Sequence, residues 1–171
     1  MEARASTYNK RFGSLSAAYK LIGFQPKPRY RWAETKARIH TIVGIAIARI
    51  VSSIEALGAN ATFDGETRLL TVNDKIRISV GSARCISYGR GSGPRWRVRP
   101  DCRPDSELTL VVKMNASNEK IQSYYLLPSN ILPQTRCKKF CITNRVFSIS
   151  CRYGRLDALV RALLSTHETL A

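Results

Sequence analysis

One stripe of apolar residues ahead of Gly58 constrains this chain more than anything else in it. Ile39, Ile42, Val43, Ala46, Ile47, Ile50, Val51, Ile54 and Leu57 recur three or four positions apart, the repeat that gathers side chains on one face of a 3.6-residue helix. Gly58 follows the last of them, at the place where a left-handed residue closes a helix without a Cβ clash. The pattern predicts a long amphipathic helix over residues 33–57 that must lay its apolar face on a second layer. Arg49, Ser52, Ser53 and Glu55 interrupt residues 39–57, so the segment does not read as a membrane span.

Past Gly58 the period changes from helical to alternating, which supplies that layer. The runs ATF, RLLTV, KIRISVGSARCIS, RWRVR, ELTLVVKM and KIQSYYLLP read as strands. Turn signals separate them at Asp64-Gly65, Asn73-Asp74, residues 89–94 and residues 115–118. Further strands are expected near Phe140 and in RVFSIS, and a last helix over residues 156–164 carries Leu156, Leu159, Val160 and Leu163 on one face. The fold class is α+β, with the long helix packed on a mixed sheet.

Ahead of that domain, STYNKRFGSLSAAYKLIGF reads as two short helices around a glycine. Ser6 caps the first, with Tyr8 and Phe12 on one side, and Gly13 ends it. Ser14 caps the second, on which Leu15, Ala18, Leu21 and Ile22 share a face, and Gly23 closes it. QPKPRYRW follows, with two prolines and three cations, an extended linker by composition. The expected organisation is a helix-turn-helix-like unit over residues 1–24, a linker over 25–32 and an α+β domain over 33–171.

Charge narrows the partners. Twenty-eight Lys and Arg face 12 Asp and Glu, a formal net charge of +16 in 171 residues. Such an excess opposes compaction and draws polyanions, nucleic acid first among them. The cations are spread along the chain rather than gathered on one amphipathic helix, which disfavours an anionic membrane. Residues 1–20 hold no continuous apolar run, so no secretory signal is expected. Five scattered cysteines in such a chain read as reduced thiols of a cytoplasmic protein.

TYNKRFGSLSAAYKLIGF resembles the Arg-Phe-Gly-Ser repeat associated with homing endonucleases, and the like segment in large serine recombinases of the DNA-invertase and resolvase group. RWRVRP and ELTLVVKMNASNEKIQSYYLLP resemble the C-terminal extension that follows it in those recombinases, so the likeness runs from Thr7 to about Asn144. It implies a C-terminal part of a site-specific recombinase, acting on duplex DNA without the catalytic domain. In a helix-turn-helix, exposed polar side chains meet base edges and flanking cations meet phosphates. The residues expected to do so are Ser6, Thr7, Asn9, Lys10, Arg11, Ser14, Lys20, Lys27, Arg29 and Arg31.

No complete catalytic set stands out, and no cofactor is expected. Tyr88, Arg90 and Ser92 spell the Tyr-x-Arg-x-Ser pattern of serine recombinases, but inside a glycine-rich turn rather than at the end of a first strand. A helix followed by three strands also looks like a restriction-endonuclease-type fold, which holds Mg²⁺ with an aspartate and a Glu/Gln-x-Lys strand. Asp64 or Asp74 would be that aspartate, yet Ser79, Val80 and Gly81 fill the other slots. On this reading the fold is a degenerate nuclease. Cys137, Cys141, Cys151 and His167 lack the paired spacing of a zinc site and read as buried thiols and a terminal histidine. Trp32, Trp96, Tyr124 and Tyr125 have the chemistry to stack on bases, but their spacing favours the core. GRGSGP lacks the P-loop pattern and reads as a flexible basic hairpin. Three functions follow: a non-catalytic DNA-binding module, a metal-dependent or inactivated nuclease, and a module that docks on recombinase subunits.

Overall fold

In the computed structural model, the described residues are 10–13, 15–23, 31–86, 93–98, 105–131, 140–141 and 150–169. They fall into two compact units, Met1–Ala37 and Arg38–Ala171. In the first, residues 10–12 form a helical turn and Gly13 takes φ 73°. Helix α1 (Leu15–Leu21) follows, and Gly23 ends it at φ 71° with its N–H on the Lys20 carbonyl at 3.1 Å. Both glycines adopt the left-handed conformation that costs a residue with a Cβ.

Helix α2 (Arg31–Ala56) begins in this unit and runs into the second. It takes in Arg31 and Trp32, two residues expected in the linker. Neither opposes helix, and Glu34 in the first turn complements the positive end of the helix dipole. Its C-terminus is a Schellman motif around Gly58 at φ 83°: Ala59 N–H donates to the Ile54 carbonyl and Gly58 N–H to that of Glu55. Leu57, expected on the apolar stripe, lies past the last helical residue and is exposed.

The strands are β1 (Ala61–Asp64), β2 (Leu69–Val72), β3 (Ile76–Ile86), β4 (Arg95–Val98), β5 (Leu108–Met114), β6 (Ile121–Pro128), β7 (Phe140–Cys141) and β8 (Cys151–Tyr153). They form one mixed sheet ordered β1-β2-β3-β5-β6-β8; among the described residues only the β3–β5 pairing is parallel. Asn73 and Asp74, both at positive φ, are the central residues of a turn closed by Lys75 N–H on the Val72 carbonyl at 3.2 Å, within the three-residue connection 73–75 between β2 and β3. Ala83 pairs with Val98 on one side and Lys113 on the other. Strands β2 and β4 therefore line the same edge of β3 one after the other, and β7 pairs beyond β4.

Helices α2 and α3 (Leu156–Thr169) cover one sheet face. Ile47, Ile50 and Ile54 of α2 and Leu159, Val160 and Leu163 of α3 pack with Leu70, Val72, Ile78, Val80, Leu110, Val112, Tyr124 and Leu126. Each such side chain contributes about 1.5–3 kcal/mol by leaving water. Residues 33–56 are long and apolar enough to cross a bilayer by length and composition, but here their stripe is the inner face of this layer. Helix α3 extends past residue 164 because no glycine or proline stops it. Of the strand expected at RVFSIS, only Ser150 is among the described residues.

Candidate nucleic-acid interface

The first unit presents cations on short helices. Lys10 and Arg11 are exposed on the turn before Gly13. Lys20 is exposed near the end of α1, its Nζ 3.9 Å from a Glu34 carboxylate oxygen, an exposed pair of small energetic weight. Ser6, Thr7, Asn9, Ser14, Lys27 and Arg29 lie outside the described residues, as does the Arg31 side chain, although its backbone opens α2. Ala18 is buried as its spacing predicts, whereas Leu21 and Ile22 are 72% and 75% exposed. Among the described residues of α1, Ala18 is buried and Ala17 and Tyr19 are half-buried.

A second cationic region, unseen in the sequence, stands where β3 outruns its neighbour. Strand β5 pairs with β3 only as far as Ala83. Beyond it, the Asn118 side chain continues the edge: its Oδ1 accepts from Cys85 N–H at 2.8 Å and its Nδ2 donates to the Cys85 carbonyl at 3.0 Å. Asn118 sits at φ 59° in the β5–β6 turn, where asparagine tolerates the left-handed region well. Since both backbone groups of Cys85 face Asn118, those of Arg84 and Ile86 face β4. Arg84 and Arg97 are thus a hydrogen-bonded cross-strand pair, with Cα atoms about 5.5 Å apart and side chains on one face. Arg95, opposite Ile86, shares that face. Like charges directly opposite destabilise a sheet. Among the described residues, no carboxylate forms an ion pair with Arg84 or Arg95.

The opposite face of this end carries Trp96, Lys113 and, on β8, Arg152. Lys113 reaches across the small buried Ala83 to place Nζ 3.9 Å from the Trp96 ring centroid. The indole N–H donates to the Met114 carbonyl at 2.6 Å. Burial, then the Arg152 guanidinium, push the Lys113 ammonium below the usual lysine range. Burial pushes the Cys85 thiol up, and nearby Lys113 opposes that shift. Tyr124 belongs to the helix-covered core, while register puts half-buried Tyr125 on the Trp96 face. The doublet was expected in one core; strand alternation parts it.

The slots of the nuclease reading lie on this same face. Pairing aligns Asp64, Leu69, Ser79 and Thr109 in one transverse row. Asp64 is committed to its turn, accepting from the Glu66 and Thr67 N–H groups and from the Thr67 hydroxyl at 2.5 Å. Buried Ser79 bonds Thr109 at 2.8 Å, Thr109 bonds Ser129 at 2.9 Å, and Ser129 bonds Ser106 at 3.1 Å. This is a closed chain of neutral hydroxyls, and Gly81 offers no side chain beside it. Asp74 lies in the β2–β3 turn, 3.5 Å from Asn60 Nδ2. His40 on α2 bonds the Arg68 guanidinium.

Cys151, expected to be a buried thiol, is exposed on β8, whereas Cys85 on β3 is buried. Cys141 on β7 and Cys151 on β8 occupy opposite ends of the run β7-β4-β3-β5-β6-β8. Five strand spacings, about 24 Å, part them, too far for a shared zinc ion. Cys137 and the GRGSGP residues before Gly93, with Tyr88, Arg90 and Ser92, lie outside the described residues. No family model, curated protein or solved structure matches the chain.

Proposed function

We propose that this protein is a non-catalytic module that binds duplex DNA, within a site-specific recombinase system as its resemblance implies. The observation that carries the reading is the exposed Lys10-Arg11 pair, with Phe12 between it and left-handed Gly13, ahead of a second helix in a chain of net charge +16. That arrangement sets cations where backbone phosphates compete for them, and each neutralised phosphate releases counterions. The purified protein is expected to retard a short mixed-sequence duplex with an affinity that falls steeply with salt. The Lys10→Ala/Arg11→Ala double variant should lower the slope of log affinity against log salt by about 1.8, or 0.9 per phosphate. Absence of retardation in dilute buffer sinks the reading.

A restriction-type scaffold is the second reading, and one observation favours it. After the long helix come β1, β2 and β3 in antiparallel order, then β4, antiparallel to β3, and then β5, parallel to β3 on its other edge, with Asp64 and Ser79 brought to one row. Ser79 and Gly81 supply neither a metal-binding carboxylate nor a lysine to position water. A scaffold of this kind binds DNA without cutting it. Incubation of the protein with supercoiled plasmid and Mg²⁺ is therefore expected to leave the plasmid intact; nicking that disappears in Asp64→Asn would restore the enzyme reading.

A further inference from the structure

We infer that the far end of the β3–β4 ribbon is a second DNA-contacting surface, in which Arg84, Arg95 and Arg97 meet the backbone phosphates of a duplex. The inference rests on the DNA-binding reading above but on different residues, in the other compact unit. Three observations point the same way. Register places the three guanidinium-bearing side chains on one face, Arg84 directly across from Arg97 and Arg95 two residues along. Neither Arg84 nor Arg95 has an ion-pair partner among the described residues. The ribbon is also held from behind: Asn118 fixes Cys85, and Trp96 is anchored to the Met114 carbonyl beneath Lys113.

Like charges face each other across an antiparallel pair, where opposite charges or β-branched residues are the stabilising choices. A polyanion reverses the sign of that interaction. Guanidinium forks match phosphate oxygens with two parallel hydrogen bonds. A rigid ribbon loses little order on binding. The contact is therefore to phosphate, strengthening binding without choosing sequence.

The test uses the full chain with Arg84, Arg95 and Arg97 all changed to Thr, which keeps strand propensity, and a matched variant with all three changed to Lys. A short mixed-sequence duplex is titrated over a range of salt, and thermal unfolding is followed without DNA. The threonine variant is expected to lose about 2.7 from the salt slope and on the order of 10²-fold in affinity near 0.1 M salt. Its unfolding midpoint should stay unchanged or rise. The lysine variant should keep the slope while losing part of the affinity, because ammonium cannot form the fork. Wild-type binding together with an unaltered slope in the threonine variant overturns this inference and leaves the Lys10-Arg11 reading standing. A fall in the midpoint would make the arginines structural and overturn it too. Failure of the wild-type protein to bind the duplex takes down both, and preference for anionic vesicles over DNA does the same.

Discussion

Truncating Ile50 to alanine is expected to lower the free energy of unfolding by about 2–5 kcal/mol, a large share of the roughly 5–15 kcal/mol typical of a domain. Ile50 is fully buried where α2 crosses the sheet, between Ile47 and Ile54 and against residues of β2, β3, β5 and α3. Its removal forfeits the transfer energy of the side chain and leaves a void that a close-packed interior only partly refills. Ile45, on the same helix, is 54% exposed. Ile45→Ala should change stability by no more than about 0.5 kcal/mol. Urea titration reads both variants, and the midpoints should move with the slope unchanged. Equal losses would mean that α2 turns a different face to the sheet.

Removing the Asn118 amide is expected to cost about 2–6 kcal/mol, because two buried backbone groups of Cys85 lose their partners at once, at about 1–3 kcal/mol each. Asn118→Gly is the informative variant. Glycine accepts the left-handed φ of 59° at no penalty but has no amide, so it separates the hydrogen bonds from the turn. Asn118→Gly and Asn118→Ala should both speed hydrogen exchange at the Cys85 N–H, with alanine losing further stability to backbone strain. Exchange as slow as in the wild type would show that the ribbon holds without this clamp. The same variants should weaken DNA binding if the arginine face needs a fixed platform.

What could be read early was what chain-local physics controls. The α2 stripe and its Gly58 stop, the positive-φ Asn73-Asp74 turn and the strands before Ser129 all follow from spacing and turn chemistry within a few residues. Helix α3 runs past residue 164, the last apolar residue of its stripe, because backbone hydrogen bonding continues until something interrupts it. Leu21, Ile22 and Leu57 were assigned to buried faces because periodicity reports which face a side chain shares, not how far the covering layer extends.

The cationic ribbon illustrates the other kind of information. RWRVR already shows Arg95 and Arg97 two apart, hence on one face of any strand. Nothing in the chain says that Arg84 stands opposite Arg97, because that depends on a register fixed across a turn and on Asn118 closing an edge. Likewise, the hydroxyl chain through Ser79, Thr109, Ser129 and Ser106 joins residues separated by up to 50 positions, a span shown by the numbers of Ser79 and Ser129 themselves. Cys141 and Cys151, close in sequence, end at opposite sides of the sheet because β7 joins β4 while β8 joins β6.

The sequence by itself determined the element types, the amphipathic faces and the surplus of positive charge, since each depends on neighbours a few residues away. Tertiary structure alone decided which cations stand together. Strand pairing is non-local, and a slip of β4 by one residue along β3 would turn Arg95 and Arg97 to the face opposite Arg84.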